Sequence, residues 1–322
     1  MLKRFGETHQ SAAPASLSVC HSPCCWIDLL APTKQEEAEI EAALGIDVPT
    51  HEDIRSIEPS SRLFRDKDAV FAAAQIVVRG DTERPRTTSV AFVLKGGTLL
   101  TIRYEDSRVF DLFAAECERS PDAVRTGAQA LIGLLEAIVD RTAELLEEAG
   151  DAVDDVPDRF HATSDQAIKR RDVAEFKAAL AEIQGLHRRT AKVRESLVSL
   201  GRMIGFLMAQ PELKLPELRS RAKSVARDIL SLSDHASFVA QNVQFVLDAA
   251  LGMINIEQNA IVKFFSIVAV VLLPPTLIAG IYGMNFQLMP ELSWPWGYPA
   301  ALLTMLASAI LPYLWCRRRG WL

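Results

Sequence analysis

The spacing of apolar positions divides the chain into three stretches. Up to about residue 104, short apolar runs alternate with turn signals. Trp26–Leu30 (WIDLL) reads as a strand, and Ala31-Pro32-Thr33 before KQEEAEIEAAL reads as a turn and cap opening a helix. Residues 69–78 (AVFAAAQIVV) are strand-like, and SVAFVLK and TLLTIRYE, joined through Gly96-Gly97, form a hairpin pattern. From about Ser107 the period becomes helical and stays so. Residues 126–150 are Leu-rich and acidic, and Ser164–Leu207 is a second long periodic segment. Pro211 and Pro216 interrupt the pattern, and Pro216-Glu217 is a good helix start. As one helix, Pro216–Tyr282 would be about 100 Å long, a stalk that needs partners within the chain or between copies of it.

The third stretch holds two uncharged apolar runs, Phe264–Tyr282 and Gly297–Cys316. Each approaches the roughly 20 residues that a helix needs to cross hydrocarbon. Lys263 precedes the first run, Arg317, Arg318 and Arg319 follow the second, and the connection 283–296 carries no Lys or Arg. The positive-inside rule then puts both outer ends in the cytoplasm and the connection outside. Trp294, Trp296, Tyr298, Tyr313 and Trp315 stand where an aromatic belt would lie. The start of the chain has no continuous apolar core of a signal peptide, so the soluble part is expected to remain cytoplasmic. The predicted fold class is an α+β cytoplasmic domain with long stalk helices, plus two C-terminal transmembrane helices. Its parts are an α/β domain over 1–125, an acidic helical hairpin over 126–215, a stalk over 216–263 and a transmembrane hairpin with a basic tail over 264–322.

A heptad line runs along the stalk and into the first span. Asp248, Asn255, Val262, Ala269 and Thr276 interleave with Gly252, Asn259, Ser266, Leu273 and Gly280 at 3.5-residue spacing. The line is polar below the membrane and mostly small or polar within it, while Ile261, Phe264, Ile267, Val268, Val271 and Leu272 beside it are large and apolar. Two readings stay open on the pattern alone: tight helix packing through small residues, or the lining of an ion path. Pro274-Pro275 removes backbone donors inside the span, which neighbouring helices or water must offset.

Composition narrows the function. The chain has 322 residues, 49% of them apolar and 24% charged, which excludes a disordered, collagenous or disulfide-scaffold protein. A net charge of −6 argues against non-specific nucleic-acid binding. Cys20, His21, Cys24 and Cys25 lie close together but lack the paired spacing of a zinc knuckle, so free thiols are expected. No GxxxxGK[ST], HExxH or GxSxG occurs, so neither a nucleotide nor an enzymatic centre is expected.

The stripe ends at Tyr282-Gly283-Met284-Asn285-Phe286, where the chain leaves the first span and Gly283 would free the backbone from the helix. With NIEQN (255–259), PPTLIAGIYGMNF (274–286), MPEL (289–292), GYP (297–299) and WIDL (26–29), the sequence resembles the CorA family of divalent-cation channels. The resemblance is strong over about 250–322 and general elsewhere. It implies a funnel-shaped homopentamer in a bacterial inner membrane, with the first span lining the pore and the second packed outside. It implies Gly283, Met284 and Asn285 as the selectivity loop. It also implies Asp248, Asn255, Asn259, Val262, Ala269, Leu273, Thr276 and Gly280 as pore-lining positions, with Ser266 or Phe265 between Val262 and Ala269. Gln287 takes a place often held by Glu, leaving Glu291 as the fixed charge outside. The implied cargo is Mg²⁺, also Co²⁺ or Ni²⁺, driven by the membrane potential, with no nucleotide.

The resemblance further implies closure by Mg²⁺ bound between cytoplasmic subunits. Candidate ligands are Glu144, Glu147, Glu148, Asp151, Asp154, Asp155 and Asp158 on the helical hairpin, and Asp228 and Asp234 on the stalk; each also reads as a solvated helix face. Zinc, or cobalt and nickel, transport by the same superfamily is an alternative, although zinc would favour His or Cys on the stripe, which has neither. A hairpin anchor without transport would leave the polar stripe unexplained.

Overall fold

A computed structural model describes residues 2–5, 25–55, 62–80, 85–120, 124–162, 173–284, 290 and 294–320. The chain divides into two units, Met1–Leu247 and Asp248–Leu322. The first contains a six-stranded sheet of β1 (Leu2–Phe5), β2 (Trp26–Leu30), β3 (Leu63–Asp66), β4 (Ala69–Val78), β5 (Arg86–Lys95) and β6 (Thr98–Arg103), in the order β1-β2-β6-β5-β4-β3. Among the described residues only β2 and β6 pair parallel. The chain between β2 and β3 supplies α1 (Lys34–Leu44) and α2 (His51–Arg55). Ile40, Val48 and Ile54 from this stretch pack on one sheet face with Ile27, Leu29 and Phe71.

The local sequence explains these elements. The Thr33 hydroxyl accepts from the Glu36 amide while Glu36 reaches back to the Thr33 amide, a capping box, and Gly45 ends α1 with φ +61°. Gly96 and Gly97, with φ +58° and +88°, supply the left-handed turn between β5 and β6. The strand at 26–30, the helix at 34–44 and the strand at 69–78 fall where the apolar pattern predicts them. On the other sheet face, the Trp26 ring lies 6.4 Å from Phe110 and 5.2 Å from Phe113 of α3 (Arg108–Arg119).

Three long helices complete the first unit: α4 (Gly127–Ala162), α5 (Val173–Leu207) and the first part of α6 (Pro216–Tyr282). The start expected for α5 at Ser164 lies outside the described residues. Strand β3 pairs only with Ala69–Ala72, so the edge of β4 is open beyond it. Helix α5 closes that edge: Ser196 donates to the Gln75 carbonyl and Ser199 accepts from the Gln75 amide, both at 2.9 Å. On α6, Leu218, Ala222, Val225, Ile229, Ala236, Val239, Val243 and Val246 are buried, a heptad seam. A Cβ on Gly201 of α5 would lie 3.5 Å from Ile229, and one on Gly150 of α4 3.9 Å from Val239. Arg221 of α6 also donates to both Glu136 carboxylate oxygens of α4. The seam therefore packs within the chain, against the helices before it.

The second unit contains the rest of α6 and α7 (Gly297–Arg318). Among the described residues these are the two helices long and apolar enough to cross a membrane, and almost none of either apolar window is buried.

Candidate ion-conduction site

In the second unit the cover on each helix follows one line. On α6, Ile267, Val271, Pro274 and Ile278 are buried or half-buried; on α7, Ala301, Met305, Ser308, Pro312 and Cys316 are. Both sets recur every three to four residues, so the cover on each helix lies along one face. The heptad stripe lies elsewhere. Asp248, Gly252, Asn255, Asn259, Val262, Ser266, Ala269, Leu273, Thr276 and Gly280 are all exposed. Ala269 and Leu273 each stand two residues beyond a covered position, about 200° round the helix. The stripe is thus on the face of α6 turned away from its covered line. Phe265 is exposed as fully as its neighbours, at 65%, so both Phe265 and Ser266 lie on open surface.

The stripe's polar groups have defined chemistry. Ser266 donates to the Val262 carbonyl at 2.8 Å, and Thr276 donates to the carbonyls of Leu272 and Leu273 at 3.0 and 2.8 Å. Each hydroxyl proton is engaged by its own helix, which leaves the oxygen as an acceptor. Pro274 and Pro275 withhold the amides that would meet the Val270 and Val271 carbonyls, one turn earlier. At the end of α6 the Gly283 amide reaches the Ala279 carbonyl at 2.9 Å, and the Met284 amide reaches Ile281 at 3.2 Å. The helix ends at Tyr282, directly before Gly283, which leaves it without a positive φ. Its smallness matters instead, since a Cβ there would come within 3.0 Å of the Ala279 oxygen. Gly283 and Met284 are exposed. Asn285, Gln287 and Glu291 lie outside the described residues.

The acidic candidates are on helix surfaces of the first unit. Asp151, Asp154 and Asp155 are exposed on α4, and Asp228 and Asp234 on α6. One group was missed by the sequence reading: partial burial, then the charges of Glu136, Asp228 and Glu144, raises the Asp140 carboxyl above its ordinary range. Residues 136, 140 and 144 repeat every four positions and so share one face of α4, which was the available signal. Glu136 is engaged by Arg221, and Glu144 by Arg141 at 2.6 Å. Among the described residues no three His, Cys, Asp or Glu side chains gather closely enough to hold a metal ion. Cys25 is a buried thiol that donates to the Val124 carbonyl; Cys20, His21 and Cys24 lie outside the described residues.

A sequence model of the CorA-like Mg2+ transporter protein family matches residues 22–318. The chain belongs to this family. It is 34% identical over 297 residues to the magnesium transport protein CorA of Haemophilus ducreyi, covering 92% of each chain. It is 33% identical over 299 residues to the namesake of Salmonella typhimurium, again covering 92% of each. Among solved structures, the CorA magnesium transporter of Methanocaldococcus jannaschii aligns with a TM-score of 0.77 at 20% identity, covering 100% of this chain and 98% of that one. The full-length CmaX protein aligns at 0.63 and 16% identity, covering 94% and 90%. These distant likenesses establish the fold: a mixed sheet, long helices and two apolar C-terminal helices.

Proposed function

We propose that the chain takes up Mg²⁺ through a path lined by the exposed stripe of α6, with Gly283, Met284 and Asn285 at its outer mouth. The observation that carries this reading is the stripe itself: small and polar residues inside an apolar span, on the face of α6 away from its covered line. In hydrocarbon such a face needs water or other helices. One copy has a single stripe, so several copies meet around it; the family resemblance makes the number five.

The chemistry suits Mg²⁺. The ion is small and dehydrates reluctantly, so it usually keeps several waters. A ring of Asn285 amide oxygens can accept hydrogen bonds from those waters without stripping them, and the Ser266 and Thr276 oxygens can do the same below. Conduction requires binding weak enough to release the ion, which neutral oxygens provide better than carboxylates. A doubly charged ion gains about 4.6 kcal/mol per 100 mV, from about 2.3 per unit charge. Co²⁺ and Ni²⁺ share the path. The stripe offers zinc neither His nor Cys. Both termini are cytoplasmic in a bacterial inner membrane. Cytoplasmic Mg²⁺ closes the path by bridging carboxylates of neighbouring copies; Asp151, Asp154, Asp155, Asp228 and Asp234 are open to such bridging.

The test is flux into liposomes loaded with dyes for Mg²⁺, Zn²⁺ or Ni²⁺. Mg²⁺ should enter, faster with the interior negative, and Asn285→Ala should assemble normally yet lose uptake at low external Mg²⁺. Wild-type rate and selectivity in Asn285→Ala would remove the filter assignment. Zn²⁺ entry without Mg²⁺ entry would replace the cargo.

A further inference from the structure

A cavity of about 560 Å³ opens in the first unit where β3 stops and α5 takes over the edge of β4. Ala73 and Gln75 of β4 form its floor and Ala240 of α6 one end. The long wall is α5, whose His187, Ala191, Arg194, Val198 and Arg202 recur every three to four residues along one face. Arg62, directly before β3, also lines it. Three arginines thus line one notch, in a chain whose net charge is −6.

The lining contains one carboxylate, Glu195, and Lys192 already pairs with it at 2.7 Å. Arg194 and Arg202 are exposed and have no ion pair among the described residues. Burial and the neighbouring Arg202 charge both lower the Arg62 pKa, and Glu195 opposes them. An anion in the notch is favoured by the charges of the arginines that line it. The guanidinium fork matches phosphate oxygens in pairs. The Thr190 hydroxyl is spent on the Leu186 carbonyl at 2.9 Å, so recognition falls to the arginines. The volume is in the range of small-molecule sites, about 300–1,000 Å³, and Ala73, Ala191, Val198 and Ala240 give the notch apolar surface beside its charge.

We propose that this notch binds a phosphate-bearing small-molecule anion, up to nucleotide size, through Arg62, Arg194 and Arg202. The site is separate from the ion path and independent of which cation is transported. It is tested by equilibrium dialysis of the purified full-length protein in detergent and EDTA, with AMP and inorganic phosphate as separate probes. AMP is chosen because it takes little Mg²⁺ from solution. At least one probe should bind saturably, at one site per chain. Arg194→Gln with Arg202→Gln should weaken it by about tenfold or more, two charge-assisted contacts being lost. Ala191→Trp, which fills the notch without changing charge, should abolish AMP binding, and Arg119→Gln, on the other sheet face, should change nothing. Tighter binding of AMP than of phosphate identifies an organic phosphate; equal binding identifies inorganic phosphate. No saturable binding of either probe to millimolar concentration, or unchanged binding in the double variant, would overturn the proposal.

Discussion

Asp140 is a partly exposed acid whose surroundings oppose its charge. Burial and three neighbouring carboxylates raise its pKa in the folded protein, so its proton is held more tightly there than in the unfolded chain. Its contribution to stability is therefore complete below the unfolded value, about 3.9, and is lost as the pH rises through the raised folded value. At neutral pH the ionised group is destabilising. Asp140→Asn should raise the thermal midpoint at pH 7 and have little effect near pH 3; equal midpoints at both pH values would contradict this. Arg103 presents the reverse case. It is 1% exposed and paired with Asp28 at 3.0 Å. Burial works against its charge, but bonds to Asp28 and Asp106 more than offset that and raise its pKa. Asp28→Ala should cost about 3 kcal/mol in denaturant unfolding, because it leaves the buried Arg103 with Asp106 as its remaining carboxylate. Neither role was legible in the sequence: Asp28 is the one charge in an otherwise apolar strand, and Asp140 one acid among many on a long helix.

At the scale of elements, strong periodicity was legible and short or charged edges were not. The pattern predicted β2, α1, β4 and the beginning of α6 because burial on one or both faces imprints them. It passed over β1 and β3, whose LKRF and LFRD are four residues long and half charged, as short edge strands are, and so carry no period. It also passed over Ser196 and Ser199, which look like ordinary helix polar residues until they meet the open edge of β4. Ser199→Ala would leave the Gln75 amide without a partner and should destabilise the fold by about 1–3 kcal/mol. An unchanged denaturation midpoint would mean that water serves the edge equally well. Helix α6 carries two heptad lines, an apolar seam toward its own chain and a small-polar stripe away from its cover. The sequence revealed the stripe; the seam became evident only with α4 and α5 in place.

For the whole molecule, the proposed orientation gives a direct labelling test. In a cysteine-free background, Ser293→Cys should react with an impermeant thiol reagent applied outside cells, and Gly320→Cys should not; the opposite result would invert the topology. The proposed Mg²⁺-closed state should also be the more protected one, since a ligand stabilises the form it binds. Millimolar Mg²⁺ should then slow proteolysis of the cytoplasmic part relative to EDTA, and equal rates would count against metal closure. The family and its two apolar helices were legible at this scale because the 255–299 stretch is dense in motif.

The stripe's role is most directly tested by cysteines placed singly along α6 in that background, with Mg²⁺ flux into liposomes measured before and after Cd²⁺ or a charged thiol reagent. Ala269→Cys, Leu273→Cys and Thr276→Cys should each conduct and then be blocked, because a reagent bound there stands in the ion's path. Ile267→Cys and Val271→Cys, on the covered line, should conduct and resist block. If the covered-line cysteines were blocked and the stripe cysteines were not, the stripe would be a packing surface and the ions would pass elsewhere.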